Sequence, residues 1–580
     1  MPYYPTRKLT VFALDPGVRD AKGILRTELE IPNELLSEGP RGYRVHVIDY
    51  DATTGRFRDP ARIPKSANRD TAPPEDPFAD VPDERLLRSL SFHAFMTYAI
   101  IMKTLASFEF ALGRRVAWSF GGHQIQVAPH AFGDANAFYS DQSRGLHFGY
   151  FPSADGTRKI YSCLSHEVVA HETTHALLDG LRERYMDPSS PEQAGFHEGF
   201  ADIVAFLSFL SAESVVAKVI DLGVPHADRD YIRRSDLTAD KLRDSGLFGL
   251  ALEMGSELAG IHGQALRRSI ALKPRTNYLS SGEYDEPHDC GEVLVAAVLN
   301  AYLAVWVNRL KAIGDGRRLD RNRASEEGAE IAARLLIMCI RAIDYCPPTD
   351  LQFRDFASAV LTADWELNPK DEKYQIRQNL LSSFLAYGIE PSSPGSDGRQ
   401  KGSWDPPPED AQFYYDRTHF DAMKSDPEEL FRFLWENRAV FKLNEQAYTR
   451  VLSVRPCART GRDGFVLRET VAEFHQQLSV FARELGSLGV EKPPAMPGDT
   501  PVILYGGNAV IFDDYGHVKY NIGNAVIDPA RPAVQDRQSK RLAYLWEHGA
   551  FDRGAGKLRA LSRLHLRRAT NWYRSIQMPD

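Results

Sequence analysis

Residues 170–202 read AHETTHALLDGLRERYMDPSSPEQAGFHEGFAD, and the rest of the chain is interpreted around them. They contain H-E-x-x-H at His171, Glu172 and His175, followed by E-G-F-A-D beginning at Glu198. If the first part is helical, His171 and His175 lie one turn apart on the same face, so both imidazoles reach one ion. Glu172 then lies one residue further round the helix.

A second helix that begins near Glu198 supplies a third ligand. Catalytic zinc commonly takes three protein ligands and leaves one position to water, and two histidines with a glutamate are an established set. We therefore predict one zinc ion per chain, bound by His171, His175 and Glu198. Asp202 lies four residues after Glu198 on the same face, where its carboxylate accepts a ring N–H of a ligating histidine. Glu172 is predicted to be the general base that takes a proton from the attacking water.

A chance H-E-x-x-H is improbable in this chain. With 17 histidines among 580 residues, a random match is expected only about 0.03 times. A structural zinc site is disfavoured because closed sites usually contain cysteine and fill four positions with protein ligands. The motif therefore indicates a catalytic metal.

The segments VVAHETTHALLD and HEGFADI resemble the active-site helices of the thermolysin-like family of zinc metallopeptidases, which are gluzincins. The metzincin pattern fits less well, because Leu178 and Leu181 stand where it has glycine and histidine. The resemblance covers about residues 85–390 and is strongest at 168–203. It implies an α+β fold of two lobes, with a β-rich N-terminal lobe, a helical C-terminal lobe and zinc in the cleft between them.

The resemblance also implies roles around the metal. Asn136 and Ala137 resemble the start of the family's edge strand, along which an extended peptide substrate pairs. Arg268 resembles the arginine that bonds the substrate carbonyl beyond the scissile bond. His288, in P-H-D-C-G-E-V, resembles the histidine that stabilises the transition-state oxyanion, and Tyr185 lies one residue from the place of a tyrosine with that role.

Supporting positions match the family in part. Glu283 stands where an aspartate usually orients the transition-state histidine, with Asp285 as a rival. Asp179 matches a family aspartate and is predicted to support the metal ligands from behind. Phe209 stands where the family often has a calcium-binding glutamate, so we do not expect the family's double calcium site in this chain.

Composition favours an ordinary soluble protein. The net charge of −8 and the pI near 6.1 give no support to nucleic-acid binding. The five cysteines are scattered and lack C-x-x-C spacing, which favours reduced thiols in the cytoplasm. The N-terminus shows no secretory leader, although export without one stays open. No run of 18 apolar residues suggests a membrane span, and residues 293–307 are predicted to form a buried helix.

Four segments are predicted along the chain. Residues 1–84 form a β-rich segment, either a sheet of the catalytic unit or a separate module, and residues 85–390 form the metallopeptidase domain. Residues 391–410 are a flexible linker by composition, and residues 411–580 form a C-terminal domain that mixes helices and strands as an α/β appendage. The predicted strands are 9–14, 43–50 and 501–528, with a hairpin turn at 460–464. The predicted helices are 84–112, 168–181, 198–210, 240–272, 291–313, 328–345, 355–364, 427–441, 469–485 and the basic tail 539–574.

Two functions remain open at this point. The first is a zinc-dependent endopeptidase that acts on a peptide or protein substrate. The alternative is a catalytically weak or inactive zinc-binding scaffold that acts through its C-terminal region. In either case residues 411–580 carry no recognisable chemistry, and we expect them to bind a protein partner, to inhibit the enzyme or to recruit its substrate.

Overall fold

The computed structural model describes residues 5–63, 75–153, 155–224, 230–254, 263–313, 318–396, 398–461 and 464–551. Its helices and strands mix along the chain, so the predicted α+β class is confirmed. The strands are β1 Thr6–Phe12, β2 Arg19–Asp20, β3 Gly23–Ile24, β4 Arg26–Pro32, β5 Val45–Val47, β6 Tyr50–Asp51, β7 Arg56–Phe57, β8 Ile125–Phe132, β9 Ala137–Ser140, β10 Gly145–Pro152, β11 Lys159–Tyr161, β12 Tyr231–Arg233, β13 Arg318–Asp320, β14 Tyr448–Thr460, β15 Val466–Phe481, β16 Pro501–Phe512 and β17 Val518–Asn524.

The helices account for most of the residues between the two main sheets. They are α1 Asp83–Leu86, α2 Leu90–Leu112, α3 His166–Leu181, α4 Pro191–Leu210, α5 Glu213–Gly223, α6 Ala239–Lys241, α7 Phe248–Met254, α8 Gly263–Ala271, α9 Pro287–Ile313, α10 Arg321–Ala342, α11 Phe353–Leu367, α12 Ile376–Ala386, α13 Phe420–Met423, α14 Pro427–Glu436, α15 Arg438–Phe441 and α16 Pro532–Glu547. The helix predicted over 240–272 runs without a break from α6 to α7 through a π-helical stretch at Leu242–Leu247, and α8 follows residues 255–262, which lie outside the described part.

The N-terminal sheet has the strand order β11-β10-β8-β5, with β9 also paired to β10. Strands β5, β8 and β10 run parallel, whereas β9 and β11 are antiparallel to β10. In the described chain β9 pairs with β10 alone, so its other side is a sheet edge. Of the first 84 residues β5 joins this sheet, whereas β1 and β4 pair as a separate two-stranded sheet.

Two helices, α2 and α9, are long and apolar enough to cross a membrane by length and composition, as is the bent pair α4 and α5. The apolar windows of α2 and α9 are 72% and 89% buried inside the protein. Their hydrophobic residues therefore contribute to the core, and α9 contains the buried helix predicted at 293–307.

Helices α4 and α9 cross at glycines, which brings their backbones unusually close. A Cβ on Gly199 would lie 2.7 Å from the carbonyl oxygen of Gly291, and one on Gly291 would lie 2.7 Å from that of Gly195. Side chains at these positions would force the helices apart. The crossing lies beside Glu198 and His288, and so sets the distance between two of the predicted site residues.

The C-terminal sheet is an antiparallel meander, β14-β15-β16-β17, which makes this region α+β and not α/β. The hairpin predicted at 460–464 is present as the β14 and β15 pair, although residues 462–463 lie outside the described part. The helix predicted at 469–485 is wrong, because 466–481 form β15. One face of β15 packs on the main core through Val471, and the other packs on α14 and α15 through Ala472 and Phe474. Burial on both faces removes the alternation that marks a strand.

Buried ion pairs attach this sheet to the end of α3 and to residues 343–350. Arg182 lies 2.5 Å from Glu473, and Asp344 binds Arg459 at 2.6 Å. Arg114 donates to the same Asp344 at 2.7 Å. All of these side chains are at most 8% exposed. The C-terminal sheet is therefore docked on the preceding part of the chain through a network of charges that solvent does not reach.

The linker predicted at 391–410 is packed and not a free tether. Ser403 is fully buried, and the indole N–H of Trp404 donates to the carbonyl of Tyr345 at 2.9 Å. The backbone N–H of Ser393 donates to Ser358 at 3.1 Å. These contacts bind the segment to α11 and to residue 345. A Pro- and Gly-rich composition predicted an irregular backbone correctly but could not show what that backbone packs against.

Candidate metal centre

The three predicted ligands converge between α3 and α4. The Nε2 atoms of His171 and His175 lie 2.9 Å apart, and they lie 3.6 and 3.7 Å from Glu198 Oε2. Ligands bound at zinc distances of about 2.0–2.1 Å in a tetrahedron are roughly 3.3 Å apart. The donor atoms and their spacing therefore fit a zinc ion, and the two imidazoles are nearly perpendicular, with ring centroids 4.5 Å apart.

Asp202 orients the first histidine as the sequence predicted. Its Oδ1 accepts from His171 Nδ1 at 2.8 Å, which leaves Nε2 with a lone pair for the metal. Burial alone would lower the pKa of His171, but the carboxylates of Asp202, Glu198 and Glu172 outweigh burial and raise it well above its ordinary value. Three carboxylates around two imidazoles make the centre strongly attractive to a cation.

Glu172 is fixed from the strand side. Its Oε2 accepts the backbone N–H of Tyr139 on β9 at 2.9 Å. The hydroxyl of Tyr139 donates to Asp179 at 2.8 Å and also lies 2.9 Å from Ser119. Asp179 therefore anchors the edge strand to the last turns of α3, one helical turn beyond His175.

His288 joins the centre from the start of α9. Its Nδ1 lies 3.4 Å from Glu198 Oε2, and its side chain is 23% exposed, whereas the metal-facing residues of α3 and α4 are almost completely buried. The structure thus brings together all three predicted ligands, the predicted base and the predicted oxyanion donor.

Arg268 lies beside Asp289 and Glu292 in the first turns of α9. Its Nε is 2.6 Å from Oε1 of Glu292, which follows His288 by one helical turn. Burial raises the pKa of Glu292 to about 8, against the opposing effect of Arg268. Glu292 was not among the predicted residues, although its i+4 spacing from His288 could have indicated it. The role predicted for Arg268, binding a substrate carbonyl, would have to compete with this carboxylate.

Two predicted residues are placed elsewhere. Tyr185 is fully buried, and its hydroxyl donates to the carbonyl of Pro347 at 2.7 Å, so the role of oxyanion donor does not carry over to it. Glu283 is largely exposed and is bound to Arg275 at 2.9 Å, so its predicted role of orienting His288 does not carry over either.

The predicted substrate strand is in place beside Glu172. The carbonyl of Asn136 accepts from Gly149 of β10 at 2.8 Å, and the Asn136 side chain accepts the N–H of Ala137 at 2.9 Å. Asn136 is therefore used to fix the start of β9. Ala137 pairs with Phe148, and the strand continues past Glu172 as an edge.

His197 is a further neighbour that sequence reasoning did not assign to the centre. It is fully buried and stacks on His175, with ring centroids 4.6 Å apart and an interplanar angle of 19°. Together with His175 and Glu198 it forms one of the groups whose ligand atoms lie within 4.8 Å of one another. Adjacent residues of a helix normally point apart, so no sequence signal predicts this stacking.

Comparison of the sequence with models of known protein families gives no match, and comparison with curated proteins gives none. The thermolysin-like resemblance therefore depends on the motif residues quoted above.

Proposed function

We propose that this protein is a zinc-dependent endopeptidase of thermolysin-like, two-lobed organisation, with the metal between the β-rich and the helical lobe. One observation carries the proposal: His171, His175 and Glu198 converge at zinc spacing, with Glu172 on the same helix beside them. A bound zinc ion supplies a Lewis acid that polarises the scissile carbonyl and acidifies an attacking water.

Glu172 is the general base. Because Tyr139 N–H holds Oε2, the carboxylate has a fixed orientation, and Glu172 is set to take a proton from the attacking water and to pass it to the leaving amine. Asp202 keeps His171 in the tautomer that binds metal through Nε2. His288 donates to the oxyanion that develops on the carbonyl, from a position already next to Glu198.

Strand β9 binds the substrate backbone. Its unpaired edge runs past Glu172, and an added strand forms main-chain hydrogen bonds that are independent of sequence. The exposed side of His288 marks where a peptide enters. The substrate class is therefore an extended peptide or an unfolded protein segment.

Cleavage of quenched peptides and of denatured protein by the zinc-loaded full-length chain tests the proposal. We expect turnover that a chelator abolishes and that Glu172→Gln reduces by several orders of magnitude while zinc stays bound. Glu167→Gln is the matched control, because burial raises the pKa of Glu167 well above its ordinary value and a neutral side chain there preserves the folded state. Unchanged cleavage by Glu172→Gln would refute the proposal.

A second function, a zinc-stabilised scaffold without turnover, is favoured by burial. His171, Glu172, His175 and Glu198 are each at most 2% exposed, so a substrate reaches them only if the centre opens on the side of His288. The same experiment separates the two functions. A scaffold retains zinc, shows no cleavage, and loses no activity on substitution of Glu172.

A further inference from the structure

A second group of metal-binding side chains lies in the N-terminal lobe. His93 on α2, His130 on β8 and Cys163, two residues after β11, are fully buried. One ligand atom from each lies within 4.8 Å of the other two. The proposed peptidase reaction uses none of them, and they belong to none of the sequence motifs.

The outer nitrogen of each ring faces an acceptor. His93 Nε2 lies 3.0 Å from the carbonyl oxygen of Leu87, and His130 Nδ1 lies 2.8 Å from the Asp49 carboxylate. A carbonyl and a carboxylate only accept, so each of these nitrogens carries a hydrogen. In neutral rings this leaves lone pairs on His93 Nδ1 and His130 Nε2, and those two atoms face each other at 2.9 Å.

Two facing lone pairs repel unless a cation lies between them. The candidates are a proton shared by the rings, which would make one of them an imidazolium, and a metal ion. A shared proton gives no role to Cys163, whereas a thiolate with two imidazoles is a zinc donor set.

The arrangement repeats the one at the metal centre. There His171 also binds a carboxylate through Nδ1, and its Nε2 faces that of His175 at the same 2.9 Å. A histidine that binds metal through one nitrogen almost always donates its other N–H to a carboxylate or a backbone carbonyl. His93 and His130 both meet this condition, each with one of the two acceptor types.

We propose that His93 Nδ1, His130 Nε2 and Cys163 Sγ bind a second zinc ion, with Leu87 and Asp49 holding the two rings. On binding, the Cys163 thiol releases its proton to solvent and ligates as thiolate. The site joins α2, β8 and the turn that leads into α3, and Cys163 precedes His171 by eight residues. It therefore fixes the start of the metal-binding helix to the N-terminal sheet, whether or not the chain is a peptidase.

Metal content of the purified full-length chain tests the site without reference to activity. We expect about two zinc ions per chain in the wild type, and about one in the double variant His171→Ala/His175→Ala and in Cys163→Ser. Cys339→Ser, a fully buried cysteine outside the group, is the matched control and keeps both ions. A His171→Ala/His175→Ala chain without zinc, or wild-type zinc content in Cys163→Ser, overturns the proposal.

Cobalt substitution covers the case in which Cys163→Ser does not fold. Of the two sites only the second contains sulfur, so Co²⁺ bound in the His171→Ala/His175→Ala chain should give a thiolate-to-cobalt charge-transfer band in the near ultraviolet. Co²⁺ binding without that band would show that Cys163 is not a ligand and would overturn the proposal. If this variant binds no Co²⁺, the proposal is also overturned, and a proton shared by the two rings explains the 2.9 Å contact between His93 Nδ1 and His130 Nε2.

Discussion

Tyr139 contacts Glu172 through its backbone N–H, 2.9 Å from Oε2, and it binds Asp179 through its hydroxyl at 2.8 Å. One residue of the edge strand thus holds the proposed base and the C-terminal part of the same helix. The backbone contact survives substitution of the side chain, whereas the hydroxyl contact does not.

Tyr139→Phe is therefore expected to affect stability more than chemistry. It leaves a hydrogen bond of the buried Asp179 unmade, which costs about 1–3 kcal/mol of unfolding free energy. Denaturant unfolding measures this, and cleavage by the variant should fall by less than tenfold. A loss as large as that of Glu172→Gln would mean that the Tyr139 hydroxyl, and not its N–H, acts in the reaction.

Asp202→Asn should weaken zinc binding by about 10–100-fold, because the amide no longer holds the His171 tautomer as a carboxylate does. Competition with a chromogenic chelator measures the affinity. Asp240→Asn is the matched control, because Asp240 has a side chain that is 78% exposed. Equal zinc affinity in the two variants would contradict the role assigned to Asp202.

Gly199→Ala should separate α4 from α9, because its Cβ would lie 2.7 Å from the Gly291 carbonyl oxygen. We expect a loss of about 1–3 kcal/mol in unfolding free energy, as for other overpacked sites. Cleavage should fall further than zinc affinity, since His288 moves away from Glu198. Gly249→Ala, where the nearest atoms are at an ordinary 3.5 Å, should be neutral or stabilising. If Gly199→Ala is as stable as the wild type, α4 and α9 can move apart at this crossing without loss of stability.

Asp344→Asn tests the charge network under the C-terminal sheet. Burial alone would raise the pKa of Asp344, but Arg114 and Arg459 outweigh burial and hold it well below its ordinary value. Removing the carboxylate leaves two buried cations with too few partners, at a cost of about 3–5 kcal/mol near neutral pH.

The pH dependence of this loss has a defined sign. The pKa of Asp344 is lower in the folded state than in the unfolded state, where it is about 3.8. The ionised carboxylate therefore stabilises the folded state fully above pH 3.8, and this contribution is lost as the pH falls towards the folded-state pKa. The difference between wild type and Asp344→Asn should therefore be constant from pH 8 to about pH 5 and shrink only under stronger acid. A difference that already shrinks between pH 8 and pH 6 would contradict this assignment.

Cutting the chain between residues 394 and 404 should not release the C-terminal domain. The packing of Trp404 and the ion pair of Arg182 with Glu473 hold both fragments together. We expect the nicked protein to elute as one species and to retain its activity. Deleting residues 411–580 instead exposes the buried charges and should lower the unfolding temperature sharply. If the nicked fragments separate, residues 411–580 are held to the rest of the chain by the linker alone, as the sequence predicted.

The placement of His171 and His175 on one face was predictable, since their spacing of four residues follows from helix geometry alone, whereas the approach of Glu198 depends on how α4 packs on α3. The approach of His288 depends on a glycine crossing that only the assembled helices reveal. Likewise β15 could not be recognised, because its two faces are buried by different parts of the chain. The positions of Tyr185 and Glu283 were inferred from the family alone, without a local physical constraint, and both are occupied by other contacts.

The pair Arg182 and Glu473 also bears on how the protein is made, because its members are 291 residues apart. At about 5–20 residues per second, the ribosome completes Glu473 roughly 15–60 s after Arg182. During that interval the guanidinium of Arg182, just after α3, lacks its carboxylate partner Glu473. We expect the nascent chain to leave the proposed metal centre unfinished until Glu473 has been synthesised, so that the proposed peptidase would become active only late in synthesis.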